Sequence, residues 1–313
     1  MDPIKWKSKI IMVKPEASYG FDSAPTAALN AMLLTDVTIA PMEGEDVSRN
    51  LERPFMGAQE EFATALRATL TGSFELVGSG TAGVAPAWGP MLRACGVAEV
   101  ITVGTSVEYT PVSENHESVV AHIQIGPWRH ILLGARGTAT LSVNAQGIPV
   151  AKVTLTGLFV LPADQARPSN VDLSKFQTPE IATKANTPTF TIASVPFVMR
   201  SFELNLACDV QPRMLVGVER VIIVDRNETI STTVEAVPYA TFNPFQRARD
   251  RTLSAIVLEH GTVAGRRVRV ETVQAQQRRP SGIENNQNIA EWSLVFIPLP
   301  SAVGNDQWKI TLT

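Results

Sequence analysis

Gly78-Ser-Gly-Thr-Ala-Gly83 is the stretch of this 313-residue chain whose residue types and spacing most directly spell a chemical function. A glycine turn of this kind, placed between a strand and a helix that begins at the glycines, aims free backbone N–H groups at a pyrophosphate. Here Pro86 and Pro90 follow almost at once. A proline in a helix already under way removes a hydrogen bond and clashes with the preceding turn. Glu99 lies about where a ribose-binding carboxylate would, but it precedes Val-Ile-Thr-Val instead of ending a strand. A nucleotide-binding enzyme using the Gly78–Gly83 turn therefore remains only as an alternative.

The other reactive residue types form no site. The carboxylates Glu43, Glu45, Asp46, Glu60 and Glu61 lack both the separation that general acid–base catalysis uses and the alternating ligands of a calcium loop. They read as a solvated loop. His116, His122, His130 and His260 have no metal-binding spacing, and His122 falls in a strand-like alternation. Cys95 and Cys208 have no CxxC partner, and two buried free thiols are expected rather than one disulfide. Arg247, Arg249 and Arg251 recur through one short helix, Arg266, Arg267 and Arg269 lie on a strand, and Arg278-Arg279 opens a loop. No aromatic residues interleave with them, so solvated or subunit-contact faces are expected rather than phosphate binding. No catalytic residue, cofactor or metal is assigned, and the chain is read as a non-enzyme.

The elements that would position these residues run twice. In the first half, Arg67-Ala-Thr-Leu-Thr-Gly-Ser-Phe-Glu-Leu-Val77 leads to a helix expected over Trp88 to Cys95, then to strands ending at Pro162. In the second, Glu228-Thr-Ile-Ser-Thr-Thr-Val-Glu-Ala-Val237 leads to a helix expected over Pro244 to Arg251, then to strands ending at Pro300. Alternation predicts strands at 36–41, 67–77, 137–143 and 150–160, the last two joined by an Asn-Ala-Gln-Gly turn into an antiparallel hairpin. The organisation expected is an N-terminal arm over 1–35, a first β domain over 36–165, a linker over 166–190 and a second β domain over 191–313. A polar stretch over 43–62 reads as an insertion carried by the first copy alone, a long hairpin making intersubunit contacts through Glu43, Glu45, Asp46, Arg49, Arg53, Phe55, Glu60 and Glu61. Arg247, Arg249 and Arg251 are expected at subunit contacts as well.

Size and composition agree with two β domains. Single cores usually stop growing near 250–300 residues, and 44% hydrophobic with 18% charged residues describes a chain that folds. No apolar run is long enough to span a membrane, the N-terminus does not read as a signal peptide, and no membrane partner is expected. The net charge of −3 divides unevenly, with 11 Lys+Arg against 16 Asp+Glu in residues 1–165 and 16 against 14 in residues 166–313. This is not a basic nucleic-acid clamp.

Several segments together resemble the major tail tube proteins of long-tailed, siphovirus-type bacteriophages. They are Ser201-Phe-Glu-Leu-Asn-Leu, the run from Val221 to Ala236, Ala240-Thr-Phe-Asn-Pro-Phe, Glu259-His-Gly-Thr-Val-Ala-Gly and Leu294-Val-Phe-Ile-Pro-Leu-Pro-Ser. Thr69-Leu-Thr-Gly-Ser-Phe-Glu-Leu-Val and Trp88-Gly-Pro-Met-Leu-Arg-Ala-Cys-Gly extend the likeness to most of residues 35–313. The resemblance implies a mainly β protein of two tandem antiparallel β-sandwich or half-barrel domains, each with a short flanking helix. It also implies rings whose inner sheets join into one barrel, stacked as a conduit for DNA ejection. Family rings are often hexamers of single domains, so three duplicated chains would complete a pseudo-sixfold ring. The arm or the 43–62 loop would link rings. The partners implied are further copies of the chain, the tape measure, distal tail and terminator proteins, and double-stranded DNA in passage. The location implied is the virion tail, after synthesis in the host bacterial cytoplasm. A conduit must not hold phosphates, so carboxylates are expected to outnumber cations on its inner sheet. The remaining alternative is a monomeric two-domain adhesin or carbohydrate-binding module. That reading needs exposed aromatic platforms, whereas Trp6, Trp88, Trp128, Trp292 and Trp308 mostly sit in apolar patterns that predict core packing.

Overall fold

Runs that alternate Val, Ile, Leu and Phe with Thr and Ser fold as strands, because each pleat sends its apolar residues to one face. The computed structural model describes residues 3–313. The protein is mainly β, with 51% strand and 5% helix, in antiparallel sheets that do not close into a barrel. The first half contains β1 (Lys9–Pro15), α1 (Ala27–Asn30), β2 (Ala31–Met32), β3 (Thr35–Ser48), β4 (Glu61–Glu75), α2 (Gly89–Arg93), β5 (Val97–Thr102), β6 (Ser106–Pro111), β7 (Val119–Ile125), β8 (Trp128–Asn144), β9 (Val150–Phe159) and β10 (Ala163–Asp164). The second contains β11 (Thr189–Ile192), β12 (Val195–Pro196), β13 (Met199–Asn205), β14 (Cys208–Leu215), β15 (Val218–Arg226), β16 (Thr229–Glu235), α3 (Pro244–Asp250), β17 (Leu253–His260), β18 (Val268–Gln277), β19 (Ile283–Asn286), β20 (Ile289–Pro298) and β21 (Lys309–Leu312).

The two halves share a pairing network. In the first, β2 pairs β1, β1 pairs β7, β7 pairs β8, β8 pairs β9, β9 pairs β4 and β4 pairs β3. In the second, β12, β11, β17, β18, β20, β16 and β13 pair in the same succession. Even a bulge repeats. The β7–β8 register slips between Val119↔Ala135 and Ala121↔Leu132, and β17–β18 slips between Ser254↔Ala275 and Ile256↔Thr272. A bulge adds a residue to one strand and bends it, so this pair fixes the alignment of the halves. Through the ladders, Ile39 corresponds to Leu204, Leu70 to Ile230, Leu155 to Phe296 and Ala151 to Trp292. The far end of β8 corresponds to β19, since Leu141 faces Ala151 and Ile283 faces Trp292.

Two expectations are corrected. Residues within the segment read as an arm form β1, whose Ile10 to Val13 are buried, because its register with β7 is that of an interior strand. The long hairpin is not an insertion in the first copy alone. β3 and β4 form one, and the second copy builds its own from β14 and β15, turning at Val216-Gly217. Residues 208–226 of the second half form this hairpin, and Pro212 together with an apolar tip at Leu215-Val216-Gly217-Val218 conceals it in the sequence.

α2 and α3 each carry a proline in the first turn, Pro90 second in α2 and Pro244 first in α3, which supplies a preset φ and no N–H to leave unpaired. Asn243 also caps α3 by accepting from the Gln246 N–H, and Arg251 ends it in the left-handed conformation. Beneath α2, Trp88 stacks on Phe74 at 4.8 Å and donates to the Val77 carbonyl at 2.9 Å. Beneath α3, Trp292 takes the corresponding space, with Phe242 and Tyr239 each 6.2 Å away. One hydrophobic cluster, including Leu70, Leu141, Leu204, Phe202 and Phe296, runs through both halves.

Candidate subunit interface

The halves meet where β13 pairs the far end of β8. Ser201 faces Asn144, Phe202 Val143, Glu203 Ser142, Leu204 Leu141 and Asn205 Thr140. Beyond this ladder the Leu206 N–H donates to the Ala139 carbonyl and the Cys208 N–H to the Thr138 hydroxyl. The central sheet therefore runs without interruption in the order β3, β4, β9, β8, β13, β16, β20, β19. Its two ends are unpaired among the described residues: β3 pairs only β4, and β19 pairs only β20. These end strands are the counterparts of β13 and of the far end of β8, the two strands joined inside the chain. An unpaired edge is a template for another strand.

The second hairpin reaches back over the first half. Arg136 donates to the Val221 carbonyl, the Val221 N–H donates to the Tyr19 hydroxyl, and Arg226 donates to the carbonyls of Gly96, just past α2, and Val112, just past β6. On the other side of the same unit, β6 pairs β21, with Tyr109 facing Ile310. The α2–β5–β6 unit is thus clasped between the hairpin and the last strand of the second half.

Among the described residues, the outer part of the first hairpin makes no hydrogen bond outside β3, β4 and the turn between them. Glu45, Asp46, Arg49, Arg53, Phe55, Glu60 and Glu61 are exposed, with Arg49, Arg53, Phe55 and Glu60 in the turn between β3 and β4. Glu43 lies nearer the body, 3.8 Å from Arg67, and accepts from the Thr69 hydroxyl at 2.7 Å. Of the arginines on and after α3, Arg247 turns inward to the Ser254 hydroxyl and over the Phe242 ring. Arg249 pairs with Asp250, whereas Arg251 is exposed without an ionic partner among the described residues. The hairpin residues and the arginines stand at opposite ends of the sheet, so one chain does not bring them together.

One face of the sheet is polar. Thr71, Thr138, Thr140, Ser142, Thr154, Ser201, Ser231, Thr233 and Ser293 occupy facing positions across the ladders, with Thr71 and Thr154 hydroxyls 3.1 Å apart. Glu75, Glu203, Glu235, Glu284 and Glu291 stand among them. Arg67, Arg136, Lys152 and Arg200 are the cations on that face among the described residues: Arg67 lies 3.8 Å from Glu43, Arg136 donates to the Val221 and His116 carbonyls, and Arg200 is held on Glu291, its Nε 2.7 Å from the carboxylate. Hydrogen bonds from Arg200 hold the Glu291 carboxyl below its usual pKa despite its burial.

The chemical motifs resolve into structure. No helix begins at Gly78–Gly83; α2 starts at Gly89, after a turn. The Gly80 N–H donates to the Gly265 carbonyl, and a Cβ on Gly78 would lie 2.2 Å from that oxygen, so these glycines allow two loops to touch. Glu99 accepts from the Tyr109 hydroxyl at 2.6 Å and from Arg93 at 3.3 Å. Burial, then the Glu99 charge, pushes the Tyr109 phenol far above its usual range. Cys95 and Cys208 are both buried and free, and burial lifts the Cys208 thiol to about 11. His122 lies on β7 beside Asp22, 3.1 Å away, with its pKa lowered by burial. No group of three or more potential metal ligands occurs among the described residues, and no described helix is long and apolar enough to cross a membrane. Trp88, Trp292 and Trp308 are core residues, but Trp6 and Trp128 are exposed and line one open groove, which corrects the expectation of core packing for these two.

Comparison with protein-family models finds no match, and no curated protein matches the chain.

Proposed function

We propose that the chain polymerises into closed rings that stack as the tube of a phage tail and conduct DNA. The observation that carries this reading is that the two unpaired sheet edges are the counterparts of the two strands already joined inside the chain. Repeating the internal joint between molecules lays β3 of one chain against β19 of the next. The internal register then assigns Asp36 to Asn286, Val37 to Asn285, Thr38 to Glu284 and Ile39 to Ile283. Each chain contributes eight strands to the closed sheet.

Geometry selects the ring size. A barrel of ~24 strands spaced about 4.8 Å and tilted about 40° has a backbone diameter of roughly 48 Å, and about 5 Å of side chain on each wall leaves roughly 38 Å. A barrel of ~16 strands leaves roughly 22 Å, which gives a hydrated B-form duplex about 20 Å wide no clearance. Three chains are the smallest ring that passes DNA freely. The polar face turned inward lines the passage with hydroxyls and an excess of carboxylates, which repels phosphates instead of binding them.

The test is a disulfide. Thr38 and Glu284 correspond to Glu203 and Ser142 on the polar face, so Thr38→Cys with Glu284→Cys should crosslink separate chains, closing at trimers on a denaturing gel. Glu203→Cys with Ser142→Cys is the intrachain control. Rings in electron micrographs should accompany the crosslink. A chain that stays monomeric at every concentration, with no intermolecular disulfide, would overturn the reading. The exposed Trp6 and Trp128 favour a second reading, a carbohydrate-binding module, and saturable glycan binding by such a monomer would establish it.

A further inference from the structure

The internal joint contains more than a strand pair. The hairpin of the second half and β21 clasp the α2–β5–β6 unit of the first half between them. The first half has both jaws of the same clasp with no paired strand or helix held between them among the described residues. One jaw is the outer hairpin of β3 and β4, which bears Glu43, Glu45, Asp46, Glu52, Glu60 and Glu61 against Arg49 and Arg53. It exposes Met42, Val47, Phe55, Met56 and Phe62. The other jaw is β10, the counterpart of β21, pairing the start of β8 as β21 pairs the start of β18.

Beside β10 opens a groove of about 900 Å³ lined by Ile4, Trp6, Ile39, Pro41, Trp128 and Pro162, among others. Positions corresponding to Ile39, Pro41 and Trp128 are Leu204, Leu206 and Val268, and all three are buried at the internal joint. A surface filled in one copy is open in the other.

We propose that α3 of one chain, with the arginines around it, seats in this empty clasp of the next chain. This rests on the ring reading above and deepens it by naming the clasped unit. α3 is the counterpart of α2, each with a first-turn proline, Pro90 or Pro244, two residues after a buried aromatic, Trp88 or Phe242. The second half has no β5–β6 hairpin, because β17 follows α3 after two residues. The space filled by that hairpin at the internal joint is therefore the groove, and the exposed Phe245 and Tyr239 rings, 5.9 Å apart beside α3, are the apolar surface that enters it. Charge selects the same orientation. Thr138, which receives the Cys208 N–H, lies one residue past the counterpart of Gln277, so the residue corresponding to Cys208, Glu43, arrives beside Arg278 and Arg279. These two arginines and Arg251 are exposed and have no ionic partner among the described residues. The acidic hairpin then crosses the end of α3 at Arg249 and Arg251, as the second hairpin crosses the end of α2.

The experiment reverses charge on each side and then on both. Glu45→Lys with Asp46→Lys, and separately Arg251→Glu with Arg278→Glu, should each raise the protein concentration for half-maximal ring formation at least tenfold, measured by light scattering at low salt. The four substitutions together should recover most of that loss. All these side chains are exposed, so an unchanged thermal midpoint of the unassembled chain identifies a folded variant. Assembly unaffected by either reversal, with the Thr38–Glu284 crosslink intact, would overturn the clasp and leave the ring standing. Loss of the crosslink in the otherwise unaltered chain would overturn the ring itself. Loss on both sides without recovery in the combined variant, at an unchanged midpoint, would also overturn the clasp.

Discussion

Leu204→Ala and Ile39→Ala remove corresponding side chains from a closed and an open joint, and the structure requires them to behave differently. Leu204 has no solvent exposure, with β13 held between β8 and β16. Truncating a buried leucine costs about 3–4 kcal/mol, the lost transfer energy plus the cavity left behind. Unfolding entropy near 2.1 cal/mol/K per residue gives about 0.66 kcal/mol/K for the whole chain, so the thermal midpoint should fall by roughly 5–6 °C. One core cluster spans both halves, so they should unfold together. Ile39 is half-buried at the rim of the open groove. Its truncation should cost the isolated chain about 1 kcal/mol and move the midpoint by less than about 2 °C. In a ring the same side chain becomes buried against Ile283 of the next chain, and about 1.4 kcal/mol lost per joint is a tenfold weakening. Scanning calorimetry on dilute protein and light scattering on concentrated protein separate the two effects. Equal destabilisation of the isolated chain by both substitutions, or unimpaired assembly of Ile39→Ala, would refute the correspondence between the joints.

Two further outcomes follow from the charges. Arg226 binds the Gly96 and Val112 carbonyls and lies 3.9 Å from the buried Glu228, so Arg226→Ala leaves a buried carboxylate without its cation, held only by the neutral Gln307 and Trp308 donors. It should cost about 3–5 kcal/mol in denaturant titration, and a loss below ~1 kcal/mol would show the pair to be well solvated. Burial holds His116, His122, His130 and His260 below their usual pKa of 6.5. The unfolded chain takes up these protons more readily, so this stability is fully present above about pH 6.5 and is lost as pH falls through that value toward the folded pKa values. The thermal midpoint should therefore decline from pH 7.5 to pH 5.5, and a flat or rising midpoint would contradict the burial of these rings.

Much of the fold was legible locally. Alternation located β4, β8 and β9 because a strand buried on one face writes that face into every second residue. The helices expected over Trp88 to Cys95 and Pro244 to Arg251 are present as α2 and α3, and Pro90, read as a helix breaker, is accommodated in the first turn of α2, where the missing N–H is not used. The duplication was readable from the order of these signals. β14 and β15 were not, although Val210, Pro212 and Met214 alternate with Asp209, Gln211 and Arg213, because Pro212 lacks the N–H of a ladder strand and the tip at Leu215-Val216-Gly217-Val218 is apolar. β1 was missed as an interior strand for a different reason. Lys-Ile-Ile-Met-Val-Lys-Pro does not alternate, and its burial comes from β7 and β2, which lie far along the chain or across a turn.

The candidate interface divides the same way. From the sequence the acidic hairpin and the arginines are expected at subunit contacts, because clustered charge is a property of composition, whereas their exposure and their lack of ionic partners are read only from the structure. Which surface meets which is a property of tertiary structure alone. Ile39 and Leu204 are both apolar residues in alternating strands, and local sequence does not distinguish them. Only the pairing of β13 with β8 buries one and leaves the other at an open edge, since strand partners are chosen by contacts between residues far apart in the chain. Arg247 and Arg251 differ in the same way: the turn into β17 brings Ser254 to one guanidinium and leaves the other in solvent.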